Sequence, residues 1–243
     1  MKRFLICFLI VLLVFFIYSC NRDKKIYYLA LGDKDLIGSY SDNVSGFLKD
    51  KGLLEKYIND FVSINYFTTD LINDIKSNKT LVINNKDISI QNALIKADLL
   101  TLSLSISDIF NKLDLINPDY NSIYDYIDQK ALNFNRCLKL LRQYCKEEIV
   151  FIGYYNSYGY NTKENDIFVY LNDKFKGVCK KYKVRFVDID FLFVENENLF
   201  TNRYPSKQGY KVISGEIISL ISKRIWKTLI IYHRQWYIHL KRD

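Results

Sequence analysis

The chain has 243 residues, 49% of them apolar, which suits one domain of ordinary size behind a short leader. Only two prolines and nine glycines occur, which excludes a linker-rich or disordered protein. The formal net charge is +8, spread along the chain with no dense basic run before the C-terminus. A basic balance suits attraction to an anionic membrane or cell wall, and the spread argues against a nucleic-acid partner.

Lys2 and Arg3 precede an apolar run from Phe4 to Tyr18. The length fits a secretory signal over residues 1–19, since a spanning helix wants roughly 20 apolar residues. The run ends Ile17-Tyr18-Ser19-Cys20, which is similar to the lipobox of bacterial lipoproteins. The resemblance implies lipidation at Cys20, with residues 20–25 as lipidated cysteine and polar tether. Each buried methylene of an acyl chain adds about 0.8 kcal/mol to membrane attachment. The alternative is an uncleaved N-terminal anchor with Cys20 a bystander. Either arrangement puts the domain outside the cytoplasm, on a membrane.

The domain is expected over residues 26–225. Ile26–Leu31 reads as a first buried strand, stopping at a tight Gly32-Asp33 turn. Val44 to Ile58 carries mixed helical signals around Gly46 and Gly52. Phe61–Tyr66 reads as a second strand, and Thr69–Ile75 as a helix capped by Thr68 or Thr69. Ala97–Leu104 is a third strand. Asn117-Pro118 opens a long helix, with proline in the first turn. Ile127, Ala131, Phe134, Leu138, Leu141 and Cys145 then recur at helical spacing. Glu148–Gly153 is a fourth strand, and Ile167, Leu171, Phe175 and Val178 line another helix. Val184–Ile189 is a fifth strand. From Gln208 a last helix turns Val212, Ile213, Ile217, Leu220 and Ile221 inward. Strands alternating with helices, the strands nearly continuous in apolar residues, predict an α/β fold with a five-stranded, mainly parallel sheet covered on both faces. Sites in such sheets form outside the carboxyl ends of strands.

Five cysteines occur, at positions 7, 20, 137, 145 and 179, none in a CxxC pair. Cys137 and Cys145, on one helical pattern, are too far apart to bridge and read as small core hydrophobes. No metal-ligand spacing appears, and the only histidines are His233 and His239. No metal and no cofactor is expected.

Several blocks resemble SGNH/GDSL hydrolases. Tyr28-Leu29-Ala30-Leu31-Gly32-Asp33 is similar to that family's first block, and Gly38-Ser39-Tyr40-Ser41-Asp42 to the start of its first helix. Asn65 to Leu71 resembles the second block with its glycine-bearing loop shortened. Ala97 to Asp108 resembles the third, where the family has Gly-x-Asn-Asp. Val150 to Asn156 resembles the fourth strand and its exit. Tyr204-Pro205-Ser206-Lys207-Gln208-Gly209-Tyr210 resembles the last block, where the family has Asp-x-x-His-Pro and then Gly-Tyr. The resemblance implies a flavodoxin-like three-layer α/β/α fold and an ancestry among esterases.

It also implies lost chemistry. Acyl transfer needs an activated hydroxyl, a base oriented by a carboxylate, and donors aimed at the oxyanion. Lys34 stands where the family has its serine, and an acyl-lysine would be a stable amide. The second-block glycine has no clear counterpart. Ser105 and Ser107 take the Gly and Asn positions of the third block. Tyr204 occupies the histidine position, and a phenol with an ordinary pKa near ~10 is a poor base at neutral pH. Thr201 occupies the aspartate position. The retained Gly32, Asp33 and Asp108 also have structural readings, with Asp33 bonding the turn and Asp108 capping the segment after the third strand. Ser39 or Ser41 would be the nucleophile if the site were rearranged, with His233 or His239 folding back as base.

Residues 226–243 mix Trp, Tyr and aliphatics with basic residues. The composition suits an interfacial segment on an anionic bilayer, or a longer final helix packed on its own domain. Two functions stand: a lipid-anchored, catalytically degenerate hydrolase-like protein that binds a glycan, acyl or cell-wall ligand or a partner, and an active esterase or acyl hydrolase with a rearranged serine site. The sequence leaves the oligomeric state open.

Overall fold

The computed structural model describes residues 25–158, 162–193, 196–201 and 204–222. The expected signal segment, Cys20 and the tail beyond residue 222, with both histidines, lie outside them. The first strand, β1 (Ile26–Asp33), is buried along nearly its whole length. Its side chains alternate between two cores: Tyr27, Leu29 and Leu31 on one face, Tyr28 and Ala30 on the other. A strand buried on both faces reads as an unbroken apolar run, which is why the sequence reveals it.

After β1 come a one-turn helix α1 (Lys34–Ile37) and α2 (Tyr40–Asp50). The chain returns as β2 (Leu54–Ile58), parallel to β1. This corrects the mixed helical reading of Val44 to Ile58. The edge strand Leu54-Glu55-Lys56-Tyr57-Ile58 carries charges on a half-exposed face, and its pattern does not announce a strand. The expected second strand, Phe61–Tyr66, shrinks to β3 (Val62–Ser63), whose partners are Gly32 and Asp33. Next is α3 (Thr68–Lys76). Its cap is neither Thr68 nor Thr69; the Asp70 carboxylate instead accepts the Phe67 amide at 2.8 Å.

A hairpin the sequence reading lacks follows, β4 (Thr80–Ile83) with β5 (Lys86–Ser89), then helix α4 (Ile90–Lys96). The turn residues Asn84 and Asn85 have φ of 51° and 59°, the left-handed pair a two-residue hairpin turn demands. The third main strand, β6 (Leu99–Ser103), leads through α5 (Ser107–Leu113) to the long α6 (Tyr120–Tyr144). Asp119 caps α6 by accepting the Ser122 amide, so Pro118 lies just before the cap and not in the first turn as expected. Then come β7 (Glu148–Ile152), α7 (Lys163–Lys181), β8 (Arg185–Val187) and the short α8 (Ile189–Phe193). The fifth strand is therefore shorter than expected, because Ile189 already starts α8. Two short antiparallel segments, β9 (Phe200–Thr201) and β10 (Tyr204–Pro205), precede a last helix, α9, over 207–222.

The main sheet runs β2-β1-β6-β7-β8, every neighbouring pair parallel, with β3 also on β1. Residues of α3 to α7 fill one core and those of α1, α2, α8 and α9 the other. This is the three-layer α/β/α architecture expected. Chain order reverses between β1 and β6, so the crevice for a ligand lies outside the carboxyl ends of those two strands.

Candidate functional site at the carboxyl end of the sheet

Gly32 is the tightest point of the crevice. Its φ is +123°, and a Cβ there would lie 1.7 Å from the Ser103 carbonyl oxygen on β6. Only glycine allows β1 and β6 to meet so closely while the chain turns into α1. Asp33 follows, 2% exposed. One carboxylate oxygen accepts the Asp35 and Leu36 amides at 3.0 and 3.2 Å, capping α1. The other accepts the Tyr66 amide at 3.1 Å, tying the loop after β3 to the end of β1. Burial raises the Asp33 pKa, and the three amide bonds oppose that rise. All its bonds are structural, as the turn-bonding reading of Asp33 expects.

Lys34, which the sequence resemblance puts at the nucleophile position, is exposed, and its side chain has no hydrogen-bond or ion-pair partner among the described residues. Behind it lies a layer of hydroxyls. Tyr28 shares a hydrogen bond of 2.9 Å with Thr101, and Tyr40 one of 2.9 Å with Ser103. Tyr57 donates to Ser41 at 2.8 Å and to Asp42 at 2.9 Å. Desolvation pushes the Tyr40 phenol up to about 12. Ser41 is fully buried in this layer and is no nucleophile at the mouth. Ser39 precedes α2 without capping it.

On β6's exit, Ser105 and Ser107 engage each other. The hydroxyls lie 3.2 Å apart, and the Ser107 amide donates to Ser105 Oγ at 3.3 Å. The Ser105 amide donates to the Tyr66 carbonyl at 2.9 Å. Both amides at the family's third block are thus occupied by the protein itself. Asp108 is not the expected cap: it lies inside the first turn of α5, whose cap position is Ile106. It bonds the Ile109 amide, accepts the Tyr126 hydroxyl at 2.5 Å and pairs with Lys130 at 2.6 Å, which turns it toward α6.

The last block closes the mouth from the other side. Ser206 caps α9, its hydroxyl accepting the Gly209 amide at 3.2 Å. A Cβ on Gly209 would lie 2.0 Å from the Leu199 carbonyl. Tyr210 reaches over Gly38 and donates to the Asp35 carbonyl. Burial pushes its phenol up to about 12. β10 lies against α1. Tyr204 is 40% exposed and pairs across the short ladder with exposed Thr201.

Sequence reasoning missed three mouth residues. Buried Asn172 on α7 accepts the Tyr154 amide at 3.0 Å and donates to its carbonyl at 2.7 Å, fixing the exit of β7. Asp190 accepts the Asn156 amide at 2.9 Å, joining that exit to α8. Tyr155 packs its ring on Phe193 and Phe200, and its buried hydroxyl has no hydrogen-bond partner among the described residues. None is signalled by local pattern, because each acts across more than ten residues or by lacking a partner. Among the described residues no cluster of three His, Cys, Asp or Glu side chains could hold a metal ion.

No protein-family model matches the chain, and neither does any curated protein sequence. Solved structures do match. A lipase, Lip_vut3 from a goat rumen metagenome, superposes with a TM-score of 0.66 at 15% identity, over 79% of this chain and 95% of its own. The acetylxylan esterase Axe2 of Geobacillus stearothermophilus gives 0.61 at 15% identity, over 82% and 95%. Its catalytic mutants were solved at a serine, an aspartate and a histidine. Phospholipase A1 of Streptomyces albidoflavus NA297 gives 0.57 at 15% identity, over 81% and 98%. These are SGNH/GDSL-type hydrolases, and the chain has their fold.

Proposed function

We propose that this chain is a membrane-anchored, extracytoplasmic protein that keeps the fold of an SGNH/GDSL esterase without its chemistry, and that its remnant cleft binds a glycan, acyl or cell-wall ligand. One observation carries the reading. At the position where the sequence resemblance puts a nucleophile, an exposed Lys34 stands in place of a serine. The hydroxyls of Ser41, Ser103, Ser105 and Ser107 are bound to one another or to tyrosines, and the two retained carboxylates hold backbone and α6. A serine with no base in reach is a weak nucleophile. Anchoring rests on the apolar run before Cys20; among the described residues no helix is long and apolar enough to cross a membrane.

The test is hydrolysis of short-chain p-nitrophenyl esters by the full chain in detergent. Turnover equal to a heat-killed control is expected. Turnover well above it, or covalent labelling by a fluorophosphonate, would overturn the reading. The likeness to a lipase and an acetylxylan esterase favours the alternative, an active esterase with a rearranged serine site. Under that reading labelling is lost in Ser39→Ala, and with His233→Ala or His239→Ala.

A further inference from the structure

Opposite the mouth lies a base formed by the turns that enter β2, β6, β7 and β8. Helices α2, α4, α6 and α7 all end there. Cations suit helix carboxyl ends, and each turn carries them. Lys49, Lys51, Lys96, Lys180 and Lys183 are exposed and form no ion pair among the described residues. Arg185, also exposed, is paired with Glu148 at 2.7 Å. A recess of about 350 Å³ opens between them, lined by Arg142, Lys146, Glu147, Glu148, Tyr182 and Lys183. The mouth has the other sign. Asp33, Asp35, Asp60, Asp114 and Asp190 gather there, with Asp108 offset by its partner Lys130, against Lys34, Lys112 and Lys207. The scattered charge of the sequence becomes a polarity of the fold.

Both ends of the described chain leave from this base. Lys25 enters β1 there, and the Ile26 amide bonds the Leu53 carbonyl at 2.6 Å. Helix α9 starts at the mouth, where Tyr210 bonds Asp35, and passes Asn43 at Ser214. At 1.5 Å per residue it descends roughly 18 Å beyond Tyr210. Its residue Ile221 joins the core against which Ile26 and Leu53 pack. The apolar segment with Cys20 and the basic aromatic segment after residue 225 therefore attach to one end of the fold, the positive one.

We propose that the base is a docking face for an anionic lipid bilayer, and that the mouth consequently points away from it. The inference rests on the membrane-anchoring reading above and adds an orientation to it. Residues 21–25 span at most about 17 Å. β1 sets the crevice roughly 25 Å farther out. The ligand therefore reaches the cleft from the side facing away from the bilayer, as a soluble or wall-bound molecule does, and the bilayer's own lipids do not enter it.

Lysine footprinting tests this on the full chain. The protein is reconstituted in vesicles of phosphatidylcholine alone, or with about one-third phosphatidylglycerol, and given a brief pulse of acetylating reagent. Acetylation of Lys49, Lys51, Lys96, Lys180 and Lys183 is expected to fall about threefold or more in the anionic vesicles and to recover in about 1 M salt. Lys34, Lys112 and Lys207 stay equally reactive in both. Equal base labelling in the two vesicles, or protection of the mouth lysines, overturns the proposal. Flotation with the neutral vesicles reports the anchor separately. A chain that floats with an unchanged footprint keeps its anchor and loses this docking face. One that floats only on anionic vesicles, with its base protected, keeps the face and loses the anchor.

Discussion

Asp33→Ala separates a structural aspartate from a chemical one. The variant removes the side-chain cap of α1, worth about 1 kcal/mol. It also strands the Tyr66 amide, which is buried and bonds the second carboxylate oxygen. A buried donor without a partner costs about 1–3 kcal/mol. Together these predict a loss of about 2–4 kcal/mol, or roughly 5–15 °C in melting temperature for a chain of this size. The assay is urea unfolding of the full chain in detergent, followed by far-ultraviolet circular dichroism. Its pH dependence is a second readout. Burial raises the folded pKa of Asp33 above its unfolded value. The folded state then holds its proton more tightly, so this contribution is complete below the ordinary carboxylate range and is lost as pH rises through the raised value. The gap between wild type and Asp33→Ala should widen from about pH 7 to about pH 4. A loss under about 0.5 kcal/mol, or a gap that narrows toward acid, refutes the argument.

Gly32→Ala should be worse, because its Cβ would lie 1.7 Å from the Ser103 carbonyl at a φ of +123°. We expect a loss beyond about 4 kcal/mol, seen as insoluble expression; a soluble variant melting with wild type contradicts the close approach of β1 and β6. Tyr155→Phe should be neutral or stabilising by up to about 1 kcal/mol, since it deletes a buried hydroxyl that lacks a partner among the described residues. Destabilisation of more than about 1 kcal/mol in the same unfolding assay would mean that this hydroxyl has a partner in solution.

The sequence and the fold agree most closely where strands are buried on both faces. β1, β6 and β7 are apolar runs with little choice of structure. β2 stayed hidden because it is the charged edge of the sheet, its residues Glu55 and Lys56 exposed or half-exposed. The β4–β5 hairpin was legible in principle from Asn84-Asn85 but sits on four-residue strands with Val82 73% exposed. At the site, Gly32 and Asp33 carry a local motif and could be read locally. The partners of Asp108, Tyr126 and Lys130, lie a helix away and follow only from tertiary packing.

The motif residues that remain hold the fold up, whatever chemistry the cleft has. Gly32 admits β6, Asp33 pins Tyr66, and Gly209 and Tyr210 dock α9 on the Asp35 turn. If the cleft is degenerate as proposed, introducing a nucleophile and base should be easy for the fold and insufficient for the reaction. Lys34→Ser alters an exposed side chain, and Tyr204→His a partly exposed one, so the double variant should fold. The amide of residue 34, first in α1, has no intrahelical partner and could face an oxyanion. The other donors are already committed. The Ser105 amide bonds Tyr66, the Ser107 amide bonds Ser105, and the Asp35 and Leu36 amides bond Asp33. One missing oxyanion donor costs about 10²–10³ in rate. With Thr201 in the aspartate position, the new imidazole would also lack its orienting carboxylate, at a further cost of up to about 10⁴. The double variant should hydrolyse p-nitrophenyl acetate measurably but at least about a thousandfold more slowly than an intact esterase of this fold. A rate within tenfold of one would mean that amides bound internally here become free in solution, and that only two side chains separate this cleft from catalysis.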